Sequence, residues 1–141
     1  MNQAQILMPM ATLAMLTFTV LAFIPYRRFK AAFARQVTAA DFKYGESERV
    51  PPEVRIPNRN MMNLLELPVL FYVACLTLYL TKSANTAALY LAWIYVALRV
   101  AHSAVHLSYN KVYHRLTLFA VSNFFLIVIW VRIVVSLPGL S

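Results

Sequence analysis

Glycine, cysteine and acidic side chains are all scarce in this chain. It has two glycines, Gly45 and Gly139, among 141 residues, against 61% hydrophobic side chains and a mean hydropathy of +0.63. That balance excludes an ordinary soluble domain and indicates an integral membrane protein. A single cysteine, Cys75, excludes an internal disulfide, and its place in a hydrophobic run makes inert packing its expected role. There is no CxxC and no Cys/His cluster, so no metal site is expected. Five Asp and Glu against 13 Lys and Arg leave a formal charge of +8. In so apolar a chain that surplus belongs to cytoplasmic loops, and nucleic acid is not an expected partner.

What the chain has in abundance is long hydrophobic runs. Ile6 to Tyr26 matches the roughly 20 residues needed to span a bilayer. Arg27, Arg28 and Lys30 follow this run rather than precede it, which separates it from a cleaved signal peptide. Further runs at 61–81, 86–107 and 116–137 complete four expected spans, the last stopped by Pro138-Gly139. The fold expected is therefore an all-α integral membrane protein, a four-helix bundle in a single domain over residues 1–141. Residues 27–60 form the one long polar connection. Arg27 to Gln36 can continue the first helix, while Pro51-Pro52 and Pro57 are expected to hold the chain extended. This connection carries eight lysines and arginines, 108–115 carries Lys111 and Arg115, and the remaining turn has only Lys82. The bias places loops 27–60 and 108–115 in the cytoplasm and both termini on the opposite side.

Polar residues inside the apolar runs are few and patterned. Arg59, Asn63 and Glu66, at i, i+4 and i+7, share a face of the second helix, and Arg99, His102 and His106 share a face of the third. At 1.5 Å per residue, Glu66 lies roughly 10 Å and Arg99 roughly 12 Å into the membrane. Matching depth on adjacent helices leads us to expect a buried Glu66–Arg99 ion pair, which either fixes helix register or shapes a ligand site. Arg115 at the mouth of the fourth helix, with Arg27 and Arg28 at the end of the first, completes a cationic ring open to the cytoplasm. Such a chamber suits an anionic, water-soluble molecule meeting a lipid-soluble one.

Several of these residues carry a plainer reading as well. His102 and His106 have the spacing of a metal-binding helix, but no HExxH glutamate or second ligand pair accompanies them, so hydrogen bonding is expected instead. Arg27, Arg28 and Lys30 also set topology and meet lipid headgroups. Arg132, near the far end of the fourth helix, snorkels and is assigned no function. Ser122 and Asn123 are assigned to helix packing.

Four short spans, a basic first connection, and Arg-x-x-x-Asn-x-x-Glu (Arg59, Asn63, Glu66) ahead of Pro68 resemble the MAPEG family, the membrane-associated proteins in eicosanoid and glutathione metabolism. The likeness runs from Arg27 through the fourth span. It implies a homotrimer of four-helix subunits, with glutathione bound between neighbours near the cytoplasmic face and a lipophilic small-molecule electrophile entering from the bilayer. By that resemblance Arg115 stands beside the thiol as the catalytic residue, where a permanent guanidinium charge favours the nucleophilic thiolate. Arg59, Asn63, Glu66, His102, His106 and either Arg27 or Arg28 would hold the glutathione, with Arg99 and His102 falling on a third-helix Arg-x-x-His found in the family.

Three positions depart from glutathione-using members. Met62 stands where an arginine precedes the motif asparagine, His106 where the third helix has a tyrosine, and Phe119 where the fourth helix has another. Two function classes follow. One is a glutathione-dependent transferase or peroxidase, favoured by Arg59, Asn63, Glu66 and Arg115. The other is a non-catalytic membrane subunit or lipid-binding protein with a degenerate glutathione site, favoured by Phe119.

Overall fold

The computed structural model describes residues 2–136, so the expected stop at Pro138-Gly139 lies outside the described residues. In lipid a backbone must satisfy its own polar groups, and apolar runs free of glycine do so as helices. A short 3-10 turn, Gln3–Ile6, leads into α1 (Leu7–Phe33). The second span is made of α2 (Pro52–Leu65) and α3 (Pro68–Leu80), followed by α4 (Thr86–Leu107) and α5 (Val112–Ser136). Four stretches are long and apolar enough to cross a membrane: Gln3–Phe33, Pro52–Leu80, Thr86–Leu107 and Val112–Ser136. The protein is thus a four-span helical membrane bundle.

The second span departs from expectation in two ways. Its helix begins at Pro52 rather than near Met61, because proline at the first helical position gives up an amide that has no partner there anyway. Pro57 is then carried, buried, inside α2. The polar connection therefore shrinks to residues 34–51. The span is also broken. Pro68 has no N–H for the carbonyl of Leu64 and its ring crowds that carbonyl, so the helix cannot run through it. The chain leaves helical geometry at Glu66 (φ −86°, ψ −106°) and restarts at Leu67, with Pro68 first in α3.

Scarce glycine shows at the helix ends. Arg35, Lys82 and Asn110 take left-handed backbone, with φ of 58°, 54° and 52°, where glycine is the usual choice. The last turns are closed by Gln36 N–H to the Ala31 carbonyl (2.9 Å), Ser83 N–H to Leu78 (3.1 Å) and Asn110 N–H to Val105 (2.9 Å).

The main core runs the length of the bundle. It includes Leu13, Val20, Leu64, Leu126 and Ile129, with Phe71 stacked on Tyr95 at 4.5 Å between centroids. At one end Gln3 clasps the α3–α4 turn reciprocally: its Nε2 donates to the Ala84 carbonyl (2.9 Å) and its Oε1 accepts from Ala84 N–H (3.0 Å). At the other end the 34–51 connection folds over a small second core of Ala31, Val37, Val50 and Val54, with Phe42 against it.

Asp41 organises that connection. Its carboxylate accepts from Thr38 N–H (2.8 Å), Thr38 Oγ1 (2.9 Å) and Ser47 Oγ (2.8 Å). These bonds, the Thr38 amide first, hold its pKa below the ordinary 3.8. A depressed carboxylate stabilises the fold above its unfolded pKa and loses that contribution as pH falls through the folded one. Protection of the Thr38 amide from hydrogen exchange, corrected for the intrinsic rate, should therefore hold constant from pH 7 to about 5 and decline only below about pH 4. Asp41→Ala should remove that protection at neutral pH; unchanged protection in the variant would show that the connection is ordered by its apolar core alone.

Candidate functional site

The C-terminal half of α4 presents Arg99, His102, Ser103 and His106 at i, i+3, i+4 and i+7. All four are buried, Arg99 and His106 completely. A stripe of this spacing turns toward the neighbouring helices, here α2 and α5, and its polar groups must find partners there.

Arg99 does not find Glu66. The one ion pair among the described residues joins Arg28 to Glu46 (3.1 Å), and Glu66 is exposed on the surface of the chain. The cause is the break at Pro68: the expected pairing assumed a regular helix through Glu66, and Glu66 is the residue at which helical geometry fails. The same break frees the Asn63 carbonyl, whose helical partner would have been the N–H of Leu67. Arg99 takes that carbonyl instead, its NH2 group donating at 3.0 Å. The guanidinium carbon lies 5.7 Å from the Tyr95 ring centroid and 5.4 Å from that of Phe119, so aromatic faces supply part of the missing negative potential. Arg99 Nε and NH1 remain buried without a partner.

Asn63, His102, Arg115 and Phe119 line one groove of about 200 Å³. Arg115 is steered by Asn110, whose Oδ1 accepts from Arg115 NH1 at 2.7 Å, and its Nε is buried and unpartnered. Asn110 also lines an adjoining hollow of about 220 Å³ with Arg55 and Arg59. The groove thus sets Arg115, His102 and Asn63 beside apolar Val112, Leu116 and Phe119, the second hollow sets Arg55, Arg59 and Asn110 beside Pro52 and Ile56, and no carboxylate lines either.

The remaining expected residues fall elsewhere. His106 sits behind His102, their rings edge to face at 5.8 Å, and neither of its ring nitrogens has a partner. Arg28 faces the 34–51 connection, bonded to Glu46 and lying 4.6 Å over the Phe42 ring, and does not line the groove of its own chain. Among the described residues no group of three or more His, Cys, Asp or Glu converges as a metal site would require.

Three residues of this region were not anticipated. Ser103 Oγ donates to Asn60 Oδ1 at 3.3 Å, a fully buried contact between α4 and α2 that leaves Asn60 Nδ2 without a partner. Ser103 stands in the same stripe as Arg99 and His106, and that spacing was the available signal. Asn110 depends on a left-handed turn that spacing alone does not reveal.

The chain matches the family model of the MAPEG family over residues 6–135. No curated protein and no solved structure matches it.

Two substitutions separate groups that hold the bundle from groups that burden it. Ser103→Ala removes a buried hydrogen bond and strands Asn60, and should lower stability by about 1–2 kcal/mol in detergent denaturation. Arg99→Met replaces a half-satisfied buried charge with an apolar side chain of similar length. Ligand-free protein carrying it should unfold at the same or a higher temperature than wild type. A fall of several degrees would show that Arg99 is needed for folding.

Proposed function

This chain belongs to the MAPEG family, and on that premise we propose that it binds glutathione at the arginine-rich end of the bundle and works there as a transferase or peroxidase on a lipophilic electrophile. The observation that carries this reading is the single groove shared by Asn63, His102 and Arg115. Two further features support it. Arg115, in the groove wall, has a buried Nε without a partner, and Arg99, bonded to the carbonyl of the groove residue Asn63, keeps Nε and NH1 unpartnered in the core. No acidic side chain lines it, so a ligand bearing two carboxylates fits its chemistry.

Glutathione would supply a thiol sulfur, for conjugation to an electrophilic carbon or, with a second thiol, for reduction of a hydroperoxide to alcohol and water. Arg115 has the role of lowering the cost of the thiolate, its NH1 held by Asn110 and its Nε left to face a ligand. Asn63 offers its side-chain amide to the peptide while its carbonyl holds Arg99. Arg59 extends the cationic wall through the hollow it shares with Asn110. Arg28 is committed to Glu46, which leaves Arg27 the freer candidate of that pair.

Arg59 and Glu66 are both exposed on a single chain. A homotrimer in which neighbours cover them is the proposed assembly, with this end in the cytoplasm. A second reading rests on Phe119. It puts an apolar ring into the groove wall, and His106 is sealed behind His102, which favours a lipid-binding member without catalysis.

Calorimetry of the purified protein with glutathione decides between them. Wild type should bind, and Arg115→Ala and Asn63→Ala should each weaken binding at least tenfold, about 1.4 kcal/mol. Absence of binding to folded wild type at millimolar glutathione would overturn the enzyme reading and leave the second.

A further inference from the structure

Helix α1 runs on past its apolar stretch, as far as Phe33. From Arg27 to Phe33 it rises roughly 9 Å at 1.5 Å per residue. The polar headgroup layer on each side of the hydrocarbon core is roughly 5–8 Å deep, so these turns cross it and the 34–51 connection starts at its outer edge. Phe29 and Phe33, at i and i+4, share a face there and are 64% and 87% exposed. Tyr44, in the connection, is 90% exposed, and among the described residues no large apolar side chain is more open than Tyr44 and Phe33. Aromatic rings stand outward in this way where a bilayer interface receives them.

The charges around those rings are one-sided. Lys30, Arg35, Lys43 and Arg49 are exposed. Of the three acids between Arg27 and Pro52, Asp41 is engaged by Thr38 and Ser47 and Glu46 by Arg28, which leaves Glu48 alone against four cations. Lys43 Nζ lies 5.1 Å over the Tyr44 ring, so charge and aromatic surface are presented together. Arg28, a cation expected at the headgroups, is instead drawn inward by Glu46 and Phe42. A second copy of the chain would oppose this face with the same surplus of cations. A soluble acidic segment would answer the cations but not rings set in the headgroup layer. Anionic headgroups answer both.

We propose that the last turns of α1 and the 34–51 connection form a docking face for the anionic lipid headgroups of the leaflet they adjoin. Lys30, Arg35, Lys43 and Arg49 take the headgroup phosphates, and Phe29, Phe33 and Tyr44 enter the interface beside them. The fold of the connection serves this face. Its small core of Val37, Val50 and Val54 and the bonds of Asp41 and Glu46 turn two acids inward and leave the cations outside. None of these residues lines the groove of Asn63, His102 and Arg115, so this proposal and the glutathione reading fail separately.

Fluorescence quenching in nanodiscs tests it on the full chain. Ala40→Cys, at an exposed position that the proposal does not use, carries the fluorophore, because the native Cys75 is buried. The bilayer is phosphatidylcholine with a spin label on a fraction of the headgroups. Quenching should rise at least twofold when about 30% of the lipid is replaced by phosphatidylglycerol. Salt at about 1 M, with a screening length of roughly 3 Å, should remove the rise. Arg35→Gln, Lys43→Gln and Arg49→Gln together should remove it as well, with protection of the Thr38 amide unchanged as the control for folding. Phe33→Ser should lower quenching in both membranes, and Arg115→Ala should alter neither. Equal quenching in the two membranes, a rise that survives the salt or the triple replacement, or undiminished quenching in Phe33→Ser would each overturn the proposal.

Discussion

Arg99 is a permanent charge inside a helix bundle, and the arrangement around it follows from having no carboxylate to set beside it. A guanidinium cannot discharge itself by losing its proton, so the fold must solvate it with what is at hand. It does so with a backbone carbonyl that a proline has released and with two aromatic faces. Pro68 is therefore more than a kink in the second span: without the break there is no free carbonyl at Asn63, and without that carbonyl Arg99 has no hydrogen-bond acceptor among the described residues. Asn63 also lines the groove with His102 and Arg115, so the residue that solvates Arg99 borders the candidate site.

Around that centre the charges are sorted by level. Acidic side chains are confined to the stretch from Asp41 to Glu66, and the 34–51 connection uses them locally: Asp41 to cap its own turn, Glu46 to hold Arg28. The arginines deeper in the bundle are left without acids, which sets an electrostatic field suited to anions. At the remote end the same shortage of acids leaves Arg132 beside a polar hollow. One compositional fact thus leaves arginines without acidic partners at both ends of the bundle, Arg115 in a half-apolar groove at one and Arg132 beside a hollow at the other.

The four spans were legible because hydrophobic runs of bilayer length leave a helical membrane bundle as the physical solution. The stripe of Arg99, His102 and His106 was equally legible, since helical spacing puts those residues on one face whatever packs against it. Two features were not. Pro51-Pro52 read as an extended stretch, because proline at a helix start and proline in a loop look alike until the following residues find something to pack on; here Val54 finds the second core. The Glu66–Arg99 pairing failed because matching depths were reckoned on a regular helix, and a proline two residues on placed the irregularity at the acidic residue itself. Asn110 was hidden for a related reason: asparagine is a usual left-handed helix cap, but its bond to Arg115 depends on how that turn aims the side chain, which spacing does not give.

The clasp between Gln3 and Ala84 joins the first described turn of the chain to the connection between the second and third spans. During synthesis the chain is delivered from its amino end, so the glutamine is made more than eighty residues before its partner carbonyl exists. Until the turn between α3 and α4 has been made, that glutamine has neither of its hydrogen-bond partners. The contact that closes this end of the bundle is therefore one that the growing chain can form only after most of its second span has been made.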